Sequence, residues 1–513
     1  MLTARKAPPR LAALSGLLLT CGCVVGPRYH RPALPPVHAY SPTPLPPSTA
    51  SAPTIAAGAA QSFSTAQTIS AQWWTLFRSP ALDTLIKRAL AANPTIDAAV
   101  AALKQAQENV YAQRGYFYPT VQASYQAERT RLSGNTASSS APGVQGNGEN
   151  IAPLGPAEPV TYNFHTAQVT VGFVPDVFGA NRREVQSLQE QANAARYQLE
   201  AAYVTLASNV VAAALQEASL RAQIAAVQTI IRSNVRSLDI VRGQLRLGYA
   251  TRLDIAQQAL ALAQARALLP PLERQLAQTR DLIRTLAGNA PDHDVPETFT
   301  LDALRLPKRL PLSLPSRLIE QRPDVLAAEA QVRSASAQVG VAIANRLPQF
   351  SLTAALGGQA NRITQMFWGS GTFWSVLGSA SQPLFDASTL RHRQSAAEEA
   401  LAQAAAQYRS TVLSAFQNVA DTLHALYTDA DALQSAVAVE QAARVALQLS
   451  QEQFRVGYAN GLAVLTAQQA YQQAVIARVQ AQAARLGDTA ALFQALGGGW
   501  WNRPRPVVSQ IGP

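Results

Sequence analysis

Cys21 and Cys23 are the only thiols in this 513-residue chain, and they stand one residue apart in the run CGC near its start. With no third cysteine downstream, an intramolecular disulfide could join only these two close neighbours. The six histidines (His30, His38, His165, His293, His392 and His424) form no cluster with metal-ligand spacing. No Gly-rich loop offers its backbone N–H groups to a phosphate. His392, between Arg391 and Arg393, reads as the solvated start of a helix. Nothing in the chain suggests an enzyme or calls for a cofactor. The chemistry open to it is acylation of a thiol.

The residues before the thiols favour that use. Arg5, Lys6 and Arg10 make a positive start, and LAALSGLLLT is an apolar stretch too short to span a bilayer. Residues 1–22 read as a lipoprotein signal peptide, cleaved before Cys23, with Gly22 as the small residue at the cut. Thr20 and Cys21 stand where such signals prefer Leu and Ala or Ser, which keeps Cys21 as the alternative acceptor. An ordinary secretory signal with incidental cysteines is the alternative to lipidation. Val24, not Asp, follows Cys23, and this directs the mature chain to the outer membrane. The net charge of +11 comes from arginines spread along the chain, with Lys6, Lys87, Lys104 and Lys308 its lysines. A scattered excess is a solvated surface, and nucleic acid is not among the expected partners.

The elements that would carry such a lipoprotein follow in order. Residues 23–70 are rich in Pro, Ser and Thr and read as an extended, lipidated tether. Leu82, Leu85, Ile86 and Leu90 then mark one face of a helix, and Trp73 and Trp74 are expected to pack against the body. Two segments, 180–242 and 387–456, run for 63 and 70 residues without Gly or Pro. Each predicts a helix on the order of 100 Å long. In the first, Leu220, Ile224, Val227, Ile231, Leu238, Val241 and Leu245 keep heptad spacing, interrupted only by Asn234. Neither segment has an apolar run long enough for a membrane helix.

Short alternating stretches precede each long segment. Val121, Ala123, Tyr125 and Ala127 alternate with polar residues, as do Val169, Val171 and Phe173, and Phe350, Leu352, Ala354 and Leu356. TFWSVLGSASQ is a weaker fourth. Such alternation marks the strands of a membrane β-barrel, with a half-buried soluble sheet as the alternative.

The two halves repeat. NPTID at Asn93 matches RPDVL at Arg322, and YPTVQAS at Tyr118 matches LPQFSLT at Leu347, both at an offset of 229. VPDVFGA at Val174 matches QPLFDAS at Gln382 at 208, and RLGY at Arg246 matches RVGY at Arg455 at 209. The first hairpin is therefore 21 residues longer, an excess expected in its Gly/Ser/Asn-rich loop, 133–159, which should face the cell exterior. The expected layout is a first repeat over 71–288, a Pro-rich connector over 289–316, a second repeat over 317–499 and a tail over 500–513.

Four strands cannot close a barrel, and lipid does not tolerate an open sheet edge, so the chain must oligomerise. Its long helices would stand in water on the periplasmic side. The two Gly-Tyr turns that end them would lie farthest from the membrane.

On these residues the sequence resembles the outer-membrane efflux factors, the TolC-like and NodT-like lipoproteins of tripartite pumps. CVVGPRYHRPALP at Cys23, QWWTLF, LDTLIKRALAANPTIDAA, PDVFGANRRE, RLGYATRLD, RPDVLAAEAQ and the closing ALGGGW carry the resemblance in order across residues 23–500. It favours Cys23 over Cys21. It implies a mainly α fold with a membrane β-barrel: a homotrimer with twelve strands, four per chain, continued by a long helical periplasmic barrel. It also implies a passive duct for drugs or toxic small molecules, docked on a periplasmic adaptor. The energy would come from an inner-membrane pump of the resistance-nodulation, major-facilitator or ATP-driven kind.

The family narrows its periplasmic mouth near the turns. Asp254, with Arg252 close by, matches an acidic position of the first repeat, whereas Thr466 stands where members often carry Asp in the second. Arg246, Gly248, Tyr249, Arg455, Gly457 and Tyr458 frame the turns. The tyrosines read either as helix-end packing or as contacts for the adaptor tip. Two rival readings are a periplasmic adaptor lipoprotein and a structural coiled-coil lipoprotein. Neither accounts for the two-fold repeat with membrane-type strands in each half.

Overall fold

A computed structural model of the chain describes residues 24–34, 37, 39–64, 68–133, 159–456 and 458–503. Cys23, the signal segment, most of the 133–159 loop, Gly457 and the end of the tail lie outside the described residues.

In chain order, β1 (Ser62–Ser64) precedes the first repeat, which contains α1 (Pro80–Ala92), α2 (Pro94–Gly115), β2 (Thr120–Leu132), β3 (Val160–Phe173), α3 (Ala180–Arg246), α4 (Arg252–Ala267) and α5 (Leu269–Leu286). There follow β4 (Arg309–Pro311), α6 (Pro315–Gln321), α7 (Pro323–Ala344), β5 (Gln349–Ala360), β6 (Thr372–Ser381), α8 (Thr389–Arg455) and α9 (Gly461–Ala495).

The repeat is visible in how the elements stop. Asn93 and Arg322 both hold extended backbone just before a proline that starts the next helix. The proline ring disfavours helical geometry in the residue before it, so each helix breaks there. Helices α3 and α8 are both 67 residues long. Asp176 starts the first by accepting from the backbone N–H of Asn181 and Arg182, and Asp386 starts the second by accepting from Leu390. The second helix begins at Thr389 because Ala387 and Ser388 hold positive φ. The halves differ after the turns. Helix α9 runs unbroken for 35 residues, whereas the first repeat divides into α4 and α5 at Pro270 and Pro271. Prolines lack the N–H that would continue the ladder.

The chain forms two compact units. Of the described residues, one comprises those within 24–30, 106–190 and 333–403; the other holds the remainder.

The first unit contains an antiparallel sheet in the order β2-β3-β5-β6. Its register turns the sequence alternation into two faces. Val121, Val171, Ala354 and Val376 lie in one row across the four strands, and Ala123, Val169, Leu356 and Trp374 in the next of the same face. Gln122, Thr170, Ala355 and Ser375 form the row between them on the other face. Slipping one strand by a residue would mix the two sets, which is why an apolar environment on one side fixes the register. Toward the 133–159 connection the apolar face turns polar, with Arg129 paired to Asn163 and Arg131 to Thr161.

One expectation needs correction. Strands β2 and β3 have 13 and 14 residues against 12 and 10 for β5 and β6. Five of the 21 extra residues of the first hairpin therefore lengthen strands, and the loop takes the rest.

The second unit is helical around an apolar core. Trp73 is buried and stacks on Phe493 with ring centroids 5.2 Å apart, and Leu82, Leu85 and Ile86 are fully buried. Trp74 is buried too, its indole donating to Asp83 at 3.0 Å. Part of the Pro-rich segment 23–70 is built into this unit. Strand β1 pairs in parallel with β4, and Gln61, wholly buried, donates to Pro307 O at 3.0 Å and Thr489 Oγ1 at 3.2 Å. Arg485, also wholly buried, donates to Thr49, Ala50 and Ala59.

Candidate functional site

The two Gly-Tyr turns come together in the second unit. Helix α3 ends in a Schellman motif: Gly248 N–H donates to Leu245 O at 3.0 Å and Tyr249 N–H to Gln244 O at 2.9 Å. This closure needs a left-handed residue, and Gly248 supplies it with φ +82°. At the end of helix α8 the corresponding outer bond is made, with Tyr458 N–H donating to Gln453 O at 2.9 Å. The helices that leave the turns are capped differently. Thr251 and Asp254 form a capping box on α4, whereas α9 relies on Asn460, which accepts from Ala463 N–H at 2.9 Å.

The Asp254 carboxylate is therefore committed locally. It accepts the Thr251 backbone N–H and hydroxyl, each at 2.7 Å. The hydroxyl bond, then the backbone bond, hold its pKa below the usual carboxylate range. Arg252 is exposed and makes no ion pair with it among the described residues. Thr466 is exposed and returns its hydroxyl to Leu462 O at 3.0 Å.

A cavity of about 570 Å³ joins the turns, lined by Tyr249, Asp254, Gln258, Phe454, Arg455 and Asn460 among others. Arg246, Gly248, Arg252, Tyr458 and Thr466 do not line it. Tyr249 and Tyr458 are 83% and 88% exposed, so neither ring is packed away within the chain. Beside them Leu247, Leu253, Val456 and Leu462 are exposed as well. These fall into two matching triads, Leu247/Tyr249/Leu253 and Val456/Tyr458/Leu462, at the same 209-residue offset as the turns. That offset was the signal for four apolar residues that sequence reasoning did not single out.

A polar node sits where Asn234 breaks the heptad seam. Asn234 is buried along with Leu220, Val227 and Leu238 of that seam. Its Oδ1 accepts from Gln468 of α9 at 2.6 Å and, more weakly, from Gln258 of α4 at 3.5 Å. Both glutamines are buried. One carbonyl thus ties α3 to the helices leaving both turns. A buried polar residue in a helical seam fixes register at a cost in stability.

Among the described residues no group of His, Cys, Asp and Glu could hold a metal ion, and no helix is long and apolar enough to cross a membrane. The sheet's apolar face, the two 67-residue helices and the doubled turns are the features of a class of outer-membrane channel.

Comparison with known proteins gives the same class. The family model of the outer membrane efflux proteins matches residues 85–289 and 314–498, and the chain belongs to that family. The pyoverdine export outer membrane protein OpmQ of Pseudomonas putida is 31% identical over 461 residues, covering 89% of this chain and 94% of its own. The toluene efflux pump outer membrane protein TtgC of Pseudomonas putida is 26% identical over 435 residues, covering 84% and 86%. The outer-membrane channel OprN superposes with a TM-score of 0.80 at 26% identity, over 93% of this chain and all of its own. The protein has the TolC-like fold and is an outer-membrane channel component of an efflux system. The adaptor and structural-lipoprotein readings give way to it.

Proposed function

We propose that three copies of the chain assemble into one duct, each contributing four strands to a twelve-stranded barrel. The observation that carries this is the sheet: β2 and β6 have no partner on their outer edges among the described residues. Lipid offers nothing to satisfy those backbone groups. Closure on neighbouring copies pairs every edge and turns the row of Val121, Val171, Ala354 and Val376 toward lipid. The 133–159 loop then faces the exterior, and Cys23 carries the lipid that holds the chain start to the membrane.

At the periplasmic end, the Leu247/Tyr249/Leu253 and Val456/Tyr458/Leu462 triads form the surface on which an adaptor tip docks, with Arg246 and Arg455 at its border. Exposed tyrosines beside aliphatic residues suit such a role. Gly248 shapes the first turn, and Gly457 is its counterpart in the sequence of the second. Asp254 supplies the acid of the mouth, flanked by Arg252 and by the uncharged Thr466. The cargo is a small organic molecule, as the names of the pyoverdine and toluene relatives suggest. It passes through passively, driven by an inner-membrane pump.

The test is the mass and conductance of the detergent-purified protein. A particle of three chains that forms steady pores in a planar bilayer is expected. A monomer that conducts nothing would sink the proposal.

A further inference from the structure

The first described residues of the chain are seated in the first unit. Val25 donates its backbone N–H to Phe178 O at 3.2 Å. Arg183 donates from Nε to Val25 O at 3.0 Å and from Nη2 to Gly26 O at 3.3 Å. Glycines make the contact close. A Cβ on Gly26 would lie 2.5 Å from Gly340 Cα, and one on Gly179 would lie 3.0 Å from Val24 Cγ1. Gly26 and Gly179 also hold φ of +105° and +81°. The seat accepts backbone where side chains would collide.

Beside it lies a cavity of about 300 Å³, whose lining includes Phe178 and Ala180 on either side of Gly179. Its walls are mostly apolar, with Tyr116, Val174, Phe178, Val341 and Phe350 prominent, and it sits where β3 ends and β5 begins. One buried donor there is unused: Asn181 Nδ2 has no hydrogen-bond partner among the described residues. The rest of that residue is occupied, Oδ1 by Gln113 Nε2 at 2.7 Å and the backbone N–H by Asp176 at 2.9 Å. A buried donor without an acceptor is costly. An apolar cavity with one free amide donor complements an ester-linked fatty chain, whose methylenes leave water and whose ester carbonyl accepts the N–H.

We propose that this cavity binds an acyl chain of the diacylglyceryl group on this chain's own Cys23. The proposal rests on the reading that Cys23 is acylated. A lipid on residue 23 is joined through one peptide unit, about 3.8 Å, to Val24, which rests against Gly179 between two residues of the cavity lining. The site gives the lipid a fixed place at the base of the sheet, so that it becomes part of the folded rim.

The test is photocrosslinking in the full-length protein purified from membranes, with p-benzoylphenylalanine replacing exposed Tyr116 at the cavity wall. The N-terminal mass is read first. An acylated Cys23 together with a crosslink from position 116 to the acylated N-terminal peptide is expected. Adding Gly26→Ala, whose Cβ would lie 2.5 Å from Gly340 Cα and so lifts the segment off its seat, should keep the acyl mass and lose most of the crosslink. Should that variant fail to assemble, Arg183→Gln removes the bonds to Val25 and Gly26 and should give the same loss. An acylated N-terminus with no crosslink, crosslinks to free phospholipid alone, or a crosslink unchanged after unseating would each overturn the proposal. An unacylated mass overturns the lipidation reading, and this proposal with it; the mass tells the two failures apart.

Discussion

Replacing Asp254 by Asn, and separately Thr251 by Ala, divides two roles that one carboxylate holds. As the N3 residue of a capping box, Asp254 satisfies the Thr251 N–H and hydroxyl, while Thr251 Oγ1 accepts Asp254 N–H at 3.2 Å. As an acid near both turns, it would supply three carboxylates to the mouth of a trimer. Thr251→Ala removes the cap and keeps the charge; losing an N-cap hydroxyl costs about 0.5–2 kcal/mol, so lower tip stability is expected with cation preference intact. Asp254→Asn removes the charge and keeps an acceptor oxygen near the cap. The expected result is a reversal potential shifted toward zero in planar-bilayer recordings under a salt gradient, with the trimer preserved. The pH dependence follows from the same bonds. Thr251 holds the Asp254 pKa low, so its contribution to the fold is present above the unfolded value of about 3.9 and is lost only as pH falls through the lower folded value. Cation preference should therefore survive at pH 5, and in Thr251→Ala its loss should begin at higher pH than in the parent. Unchanged selectivity in Asp254→Asn, or an equal loss in Thr251→Ala, would refute the reasoning and assign Asp254 to capping alone. Asp421, in the second long helix, is the control and should matter less.

Other substitutions test the scaffold. Trp73→Ala removes a buried ring stacked on Phe493 and should cost about 3–5 kcal/mol, read as a lower denaturation midpoint. Asn234→Ala leaves the buried Gln468 amide without its 2.6 Å acceptor; about 1–3 kcal/mol is expected, measurable as faster hydrogen exchange near the turns. Asp429 is pushed up to about 7, first by burial and then by the neighbouring Asp488 carboxyl, with the Arg485 charge opposing. A carboxyl raised in this way favours the folded state while protonated, so thermal stability should decline between about pH 4 and the raised value and level off above it. Asp429→Asn should flatten that slope, and an unchanged profile would rule Asp429 out as its source.

What the sequence determined by itself is whatever depends on neighbours along the chain. Alternation at i and i+2 placed all four strands of the sheet, because side chains leave a strand on opposite faces. The Gly- and Pro-free runs marked both 67-residue helices, and Pro94 and Pro323 marked where helices break, since backbone restrictions act within a few residues. The doubled RxGY motif gave the turns, because a Schellman closure needs its glycine. The tertiary structure decided the rest. Asn234 showed in the sequence only as a break in a heptad; its acceptor role depends on Gln468, 234 positions away. Residues 23–70 read as a tether because composition reports local propensity, yet Gln61 is buried against Pro307 and Thr489, partners that no local pattern announces. Asp254 carried both readings. Its place in a capping box was written three residues upstream in Thr251, but how much charge it presents to a pore depends on bonds and neighbours that exist only once the two turns have met.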